Sequence, residues 1–138
     1  MKDRIVLDTN CLVSSLPRNG KYHRVWQGFF ESKYVLCYTN EILTEYEEIL
    51  TQKMGRMIAQ NIVKAIIARP NTLKLDPHFQ FRLIEKDVDD NKFVDCAIVA
   101  NARYIVTEDR HFKVLETIDF PKVDVIGLDD FLIWLMHE

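Results

Sequence analysis

Ile5-Val6-Leu7-Asp8-Thr9-Asn10 runs three consecutive apolar residues straight into an acid. An unbroken apolar run fits a strand covered on both faces, as in a parallel sheet; a half-exposed strand would alternate. Similar stretches recur along the chain as Tyr34-Val35-Leu36-Cys37-Tyr38, Tyr104-Ile105-Val106 and Val123-Asp124-Val125-Ile126, with Thr72-Leu73-Lys74-Leu75 a further strand candidate. Helical spacing fills the intervals. Val25, Trp26, Phe29 and Phe30 mark a helix within Tyr22 to Ser32, and Ile42, Leu43, Tyr46, Ile49 and Leu50 one within Glu41 to Gln52. Met57, Ile58, Ile62, Ala65 and Ile66 continue the pattern from Met54 to Ala68, before Arg69-Pro70 stops it. Two more helices are expected from about Asp90 to Ala102 and from about Asp129 to His137. Strands interleaved with helices predict a three-layer α/β sandwich with a mainly parallel four- or five-stranded sheet.

The 138 residues, 48% hydrophobic and 28% charged, suit one domain over 1–138 with a real core rather than a disordered chain. No apolar run approaches the roughly 18 residues needed to cross a bilayer, and Met1-Lys2-Asp3-Arg4 leads directly into the first strand, so a soluble, cytoplasmic protein is expected. Eighteen basic against 21 acidic residues, a net charge of -3, argue against a nucleic-acid binder working by blanket positive charge. Cys11, Cys37 and Cys96 are odd in number, widely spaced and embedded in apolar stretches, which predicts buried thiols rather than a disulfide or zinc framework.

The acids are the informative part of the composition. Asp8 ends the first strand, where open α/β sheets place ligands just beyond the sheet edge; alternatively it is the N-cap of a helix starting at Cys11-Leu12-Val13. Asp109 repeats the arrangement after Tyr104-Ile105-Val106-Thr107-Glu108, and two acid-terminated parallel strands aim both carboxylates at one edge. Thr107 is placed to hold a carboxylate or its water through a hydroxyl hydrogen bond. Glu45 falls at the border of its helix's apolar stripe, with Glu41, Glu47 and Glu48 nearer solvent. The run Asp87-Val88-Asp89-Asp90-Asn91-Lys92-Phe93-Val94-Asp95 opens another helix, with Asn91 and Asp95 one turn apart on the same side. Such acids, converging without basic partners close in sequence, repel one another unless they hold a hard divalent cation. Carboxylate oxygens suit Mg²⁺ or Mn²⁺, and one or two such ions serve phosphodiester hydrolysis. Two would change the net charge from -3 to +1, so the acidic balance bears on cofactor dependence more than on partner choice.

These pieces resemble the PIN-domain ribonucleases, and most closely the VapC-like toxins of type II toxin-antitoxin pairs. The resemblance is carried by Val6-Leu7-Asp8-Thr9-Asn10, Asn40-Glu41-Ile42-Leu43-Thr44-Glu45-Tyr46, Asp89-Asp90-Asn91-Lys92-Phe93-Val94-Asp95-Cys96-Ala97 and Tyr104-Ile105-Val106-Thr107-Glu108-Asp109, in order and over the whole length. It implies a PIN-like sheet of order 3-2-1-4-5, Mg²⁺ or Mn²⁺ as cofactor, RNA as substrate, a cognate antitoxin that buries the site, and a homodimer. It carries over the family's acidic quartet as Asp8, Glu45, an acid near the start of the helix after Asp89, and Asp109. The third position falls on Asn91 by spacing, with Asp90 adjacent and Asp95 one turn on; Asp90 and Asp95 are the acidic candidates and Asn91 a neutral ligand or water-holder. Asn10 and Thr107 are implied as supporting polar residues.

Arg18, Lys21, His23 and Arg24, interleaved with Tyr22 and Trp26, form a basic-aromatic patch near the first strand, which makes Arg18, Lys21 and Arg24 candidates for RNA contact. His111, two residues past Asp109, borders the expected site. Competing chemistries fit less well. An aspartyl-phosphate phosphatase wants a second Asp where Asn10 stands, and a receiver domain wants an acidic pair at the first strand, where Asp8 is alone. A different class of function is a PIN-like module with a loosened third acid that holds RNA or a protein partner without turnover.

Overall fold

The central strand is the one whose sequence is apolar throughout. In the computed structural model, which describes residues 2–85 and 88–138, Ile5, Val6 and Leu7 have no exposed surface. They belong to β1 (Arg4–Leu7), flanked in parallel by β2 (Val35–Tyr38) and β4 (Tyr104–Val106), with β3 (Thr72–Lys74) and β5 (Val125–Ile126) outside them. The five-stranded sheet has the order β3-β2-β1-β4-β5. The chain winds outward from β1 to β3 and then crosses to β4 on the other side. The carboxyl ends of β1 and β4 therefore flank the switch point, where such sheets open a crevice.

Among the described residues six α-helices accompany the sheet: α1 (Thr9–Ser15), α2 (His23–Phe30), α3 (Asn40–Met54), α4 (Arg56–Ala68), α5 (Asn91–Ala100) and α6 (Leu128–Met136). Helix α5 packs on β1, β2 and β4 through a face that includes Phe93, Val94, Cys96, Ala97 and Ala100. A buried apolar side chain of that size stabilises by roughly 1.5–3 kcal/mol, which is why this helix rather than a loop lies under the switch point. α3 and α4 pack against each other, and α3 is tied to the sheet by Tyr46, whose buried hydroxyl donates to the Leu7 carbonyl at 2.5 Å. That bond satisfies a carbonyl at the very end of β1 and brings the neighbouring Glu45 to the same edge. The three cysteines are free and buried.

The expected strands and helices form, and their boundaries shift for identifiable reasons. Gly55, at φ 89°, breaks the continuous helical pattern around Met54 into α3 and α4. The helix expected from Asp90 starts one residue later, because Val88–Asp90 forms a 3-10 turn; it ends at Ala100, with Asn101 left-handed at φ 51°. A 3-10 segment, Arg110–Thr117, follows β4 where no element was expected. Asp87 lies outside the described residues. Among the described residues no helix is long and apolar enough to cross a membrane.

Tyr46→Phe leaves the Leu7 carbonyl buried without its donor and is expected to cost about 1–2 kcal/mol, read as a lower urea midpoint at unchanged m. Gly55→Ala meets no atom within 4 Å, so its cost of about 1 kcal/mol comes from backbone strain alone.

Candidate active site

The β ladder runs one residue past β1: the Asp8 N–H donates to the Val106 carbonyl at 3.0 Å, which holds Asp8 at the sheet edge. Its side chain is not a helix cap. Asp8 occupies the N-cap position of α1 but makes no side-chain cap bond; instead its Oδ2 accepts the Thr107 hydroxyl at 2.7 Å. Thr107 in turn accepts the Asp109 N–H at 3.0 Å, so one buried hydroxyl links the two strand ends. Burial raises the Asp8 pKa, the Thr107 bond opposes this, and the Asp109 and Glu45 carboxylates raise it further. A carboxyl pushed up by burial and by two like charges marks a place that favours a cation.

Asp109 caps the 3-10 segment, its Oδ1 accepting the His111 N–H at 2.9 Å, and the His111 Nδ1 lies 3.4 Å from the same oxygen and 3.8 Å from Asp90 Oδ2. Asp90, Asp109 and His111 each present a ligand atom within 4.8 Å of the others, a donor set of two carboxylates and one imidazole that fits a divalent cation. Asp8, Asn10, Cys11, Ser14, Glu108 and Asp109, together with Leu128, line a crevice of about 330 Å³. Glu108 is turned to structure: its Oε1 accepts the Leu128 N–H at 2.9 Å, at the start of α6. Burial and the Asp8 and Glu108 carboxylates push the Cys11 thiol well above its ordinary pKa, so it stays protonated in the crevice wall.

Glu45 comes to this edge from α3, and its charge is met by a base distant from it in sequence. The Lys92 ammonium sits 2.7 Å from Glu45 Oε1, and the Thr9 hydroxyl donates to Glu45 Oε2. Asp90 and Asp95, five residues apart, part company. Asp95 Oδ1 accepts the Phe81 N–H at 3.1 Å and lines a separate groove with Glu41, Gln80 and Arg82. Burial raises its pKa, the Phe81 bond opposes this, and Glu41 adds repulsion. Asn91 is engaged elsewhere as well, its Oδ1 accepting the Ile84 N–H (2.9 Å) and its Nδ2 donating to the Ile84 carbonyl (2.8 Å).

Arg18, Lys21 and Arg24 are exposed, and Lys21 pairs with Asp129 at 3.0 Å, beside Leu128 at the crevice rim. Trp26 is not a stacking platform; it is buried against Phe29 and Phe30, with ring centroids 5.4 and 4.9 Å away. Sequence reasoning missed Thr9 and Lys92 as partners of Glu45 and His111 as a candidate ligand. Thr9 and Lys92 stood inside the quoted motifs, adjacent to Asp8 and Asn91, and His111 stood two residues from Asp109.

A parallel sheet with carboxylates from two strand ends and a helix entry around its switch point defines an α/β domain of the acidic-site type. A family model described as the PIN domain matches residues 4–111, and the chain belongs to the PIN-domain family. No curated protein sequence matches it. Among solved structures the fold is similar to VapBC2 from Rickettsia felis bound to a DNA fragment from its promoter, at 14% identity and TM-score 0.62 over 90% of this chain and 98% of that one. It is also similar to DNA-bound VapBC from Salmonella typhimurium (16% identity, TM-score 0.60, 93% and 99% covered). The Sarcin-Ricin loop cleaving toxin VapC20 of Mycobacterium tuberculosis shares it too (14%, 0.58, 79% and 92%).

Asp8→Asn keeps an oxygen for the Thr107 hydroxyl and removes a buried, repelled charge. In metal-free buffer at neutral pH it is expected to stabilise the fold by about 1 kcal/mol, roughly 4 °C in Tm. The sign follows from the raised pKa: between the ordinary carboxyl value and the raised one the folded state binds more protons than the unfolded, so wild-type stability falls as pH rises through that window. Thermal melts across the acid range check it; the variant should lose that part of the slope.

Proposed function

We propose that the chain is a divalent-metal-dependent endoribonuclease, using Mg²⁺ or Mn²⁺, and the toxin component of a toxin-antitoxin pair. The observation that carries this reading is the grouping of Asp90, Asp109 and His111 within 4.8 Å, next to the buried, repelled carboxyl of Asp8. Asp8, Asp90 and Asp109 are the residues to hold the cation, with His111 beside them. A divalent cation bound there supplies Lewis-acid activation for attack of water on a phosphodiester. The protein's own part is positional. Thr107 fixes Asp8 relative to Asp109, and the Tyr46 bond sets α3 and hence Glu45 at the end of β1.

RNA as substrate, an antitoxin as partner and a homodimer as the working form are further parts of the proposal. Family membership supports nuclease chemistry, and the VapBC and VapC structures, although they share only the fold at these identities, support the toxin reading. Asp95, held by the Phe81 N–H in a different groove, is proposed as a structural anchor of that loop rather than a metal ligand, and Asn91 likewise.

Purified full-length protein with Mn²⁺ or Mg²⁺ should cleave single-stranded RNA, stop in EDTA and resume on adding metal. Asp109→Asn should lower the rate by at least about 100-fold with the fold intact, since it removes an anionic ligand rather than an outer contact. EDTA-resistant cleavage, or full activity in that variant, overturns the proposal.

A further inference from the structure

Lys92 is the one cation of the described residues that forms an ion pair with an acid of the candidate site from a largely buried position. Its side chain is 9% exposed; the ammonium lies 2.7 Å from Glu45 Oε1 and donates to the Asp89 carbonyl at 2.7 Å, with the Phe93 ring centroid 5.3 Å away. The Lys21 pair with Asp129, by contrast, is 68% and 65% exposed and ordinary for a surface. With Thr9 donating to Glu45 Oε2, both oxygens of that carboxylate are engaged by protein donors. The ammonium is largely buried and the Glu45 side chain half-buried, at 29% exposure, so it is the lysine charge that separation of the pair would strand.

We propose that Lys92 is a built-in cation: it occupies the position at which Glu45 would otherwise hold a metal, so the site takes a single divalent ion, on the Asp8, Asp90 and Asp109 side. The inference rests on the metal-site reading above and adds its stoichiometry and the division of labour among the acids. A second divalent ion at Glu45 would have to displace the ammonium and leave it buried next to a dication. The fixed point charge of a lysine neutralises Glu45 without Lewis acidity, so the activating chemistry belongs to the other end of the cluster. Glu45 is then a positioning residue acting through Lys92 and Thr9, and its direct ligation of metal is not needed.

Calorimetry and Mn²⁺ electron paramagnetic resonance on the full chain test this without reference to activity. The wild type should bind one Mn²⁺. The paired change Glu45→Gln with Lys92→Met removes both charges and should leave one Mn²⁺ with affinity within about threefold, whereas Asp109→Asn should weaken it by about tenfold or more. Lys92→Met alone, if folded by circular dichroism, should expose Glu45 and raise the stoichiometry to two, while Lys92→Arg keeps it at one. Two Mn²⁺ in the wild type, with one lost in the paired variant, overturns the built-in cation and leaves the metal site standing. No Mn²⁺ bound by the wild type overturns both.

Discussion

Everything at the sheet edge is arranged around a carboxylate that the fold has buried. Asp8 follows three residues with no exposed surface, is itself 7% exposed, and is fixed by a ladder hydrogen bond on one side and the Thr107 hydroxyl on the other. A charge in that position is costly, and the Asp109 and Glu45 carboxylates make it costlier. The neighbouring elements answer this in different ways. The residue after β4 contributes the Thr107 hydroxyl, and α3 contributes a second acid whose charge is met by Lys92 from α5. The 3-10 segment after β4 contributes an imidazole next to the third and fourth acids. The repulsion at Asp8 is what a cation at the proposed site would relieve.

That constraint explains why so much of the fold is readable from the chain and why the site is less so. The apolar run before Asp8 predicts a strand buried on both faces, and the structure places that strand in the middle of the sheet. The helices follow from a 3.6-residue period, and the acids after β1 and β4 fall at one edge as a matter of parallel geometry. What local pattern does not contain is azimuth. Asp90 and Asp95 look equivalent as acids near one helix start. The 3-10 turn at Val88–Asp90 aims Asp90 toward His111, while Asp95, inside α5, meets the loop at Phe81. Lys92 reads as an ordinary residue in an acidic run, because its partner is supplied by α3, 47 positions earlier in the chain. His111 has no ligand spacing to another histidine; its neighbours are acids brought together by the turn after β4.

The same geometry separates two kinds of acid that composition counts together. Glu108 and Asp95 bind backbone N–H groups, at the start of α6 and in the loop before α5, and so do structural work. Asp109 does both, since one oxygen accepts a backbone N–H while the carboxylate also faces His111 and Asp90. A net charge of -3 therefore says little about an acidic surface.

Asn91 carries a consequence for how the molecule opens. Its amide gives and takes a hydrogen bond with the same residue, Ile84, as a neighbouring strand residue would, while Asp95 holds Phe81 three residues upstream. The stretch before α5 has no strand or helix of its own at these positions, so its backbone is paired by side chains of the helix that lies beneath the sheet. Ile84 is thus part of the cooperative unit formed by α5 and β1 rather than of the surface. Its amide is held as a core amide is, and it would exchange with solvent on the timescale on which the central sheet comes apart.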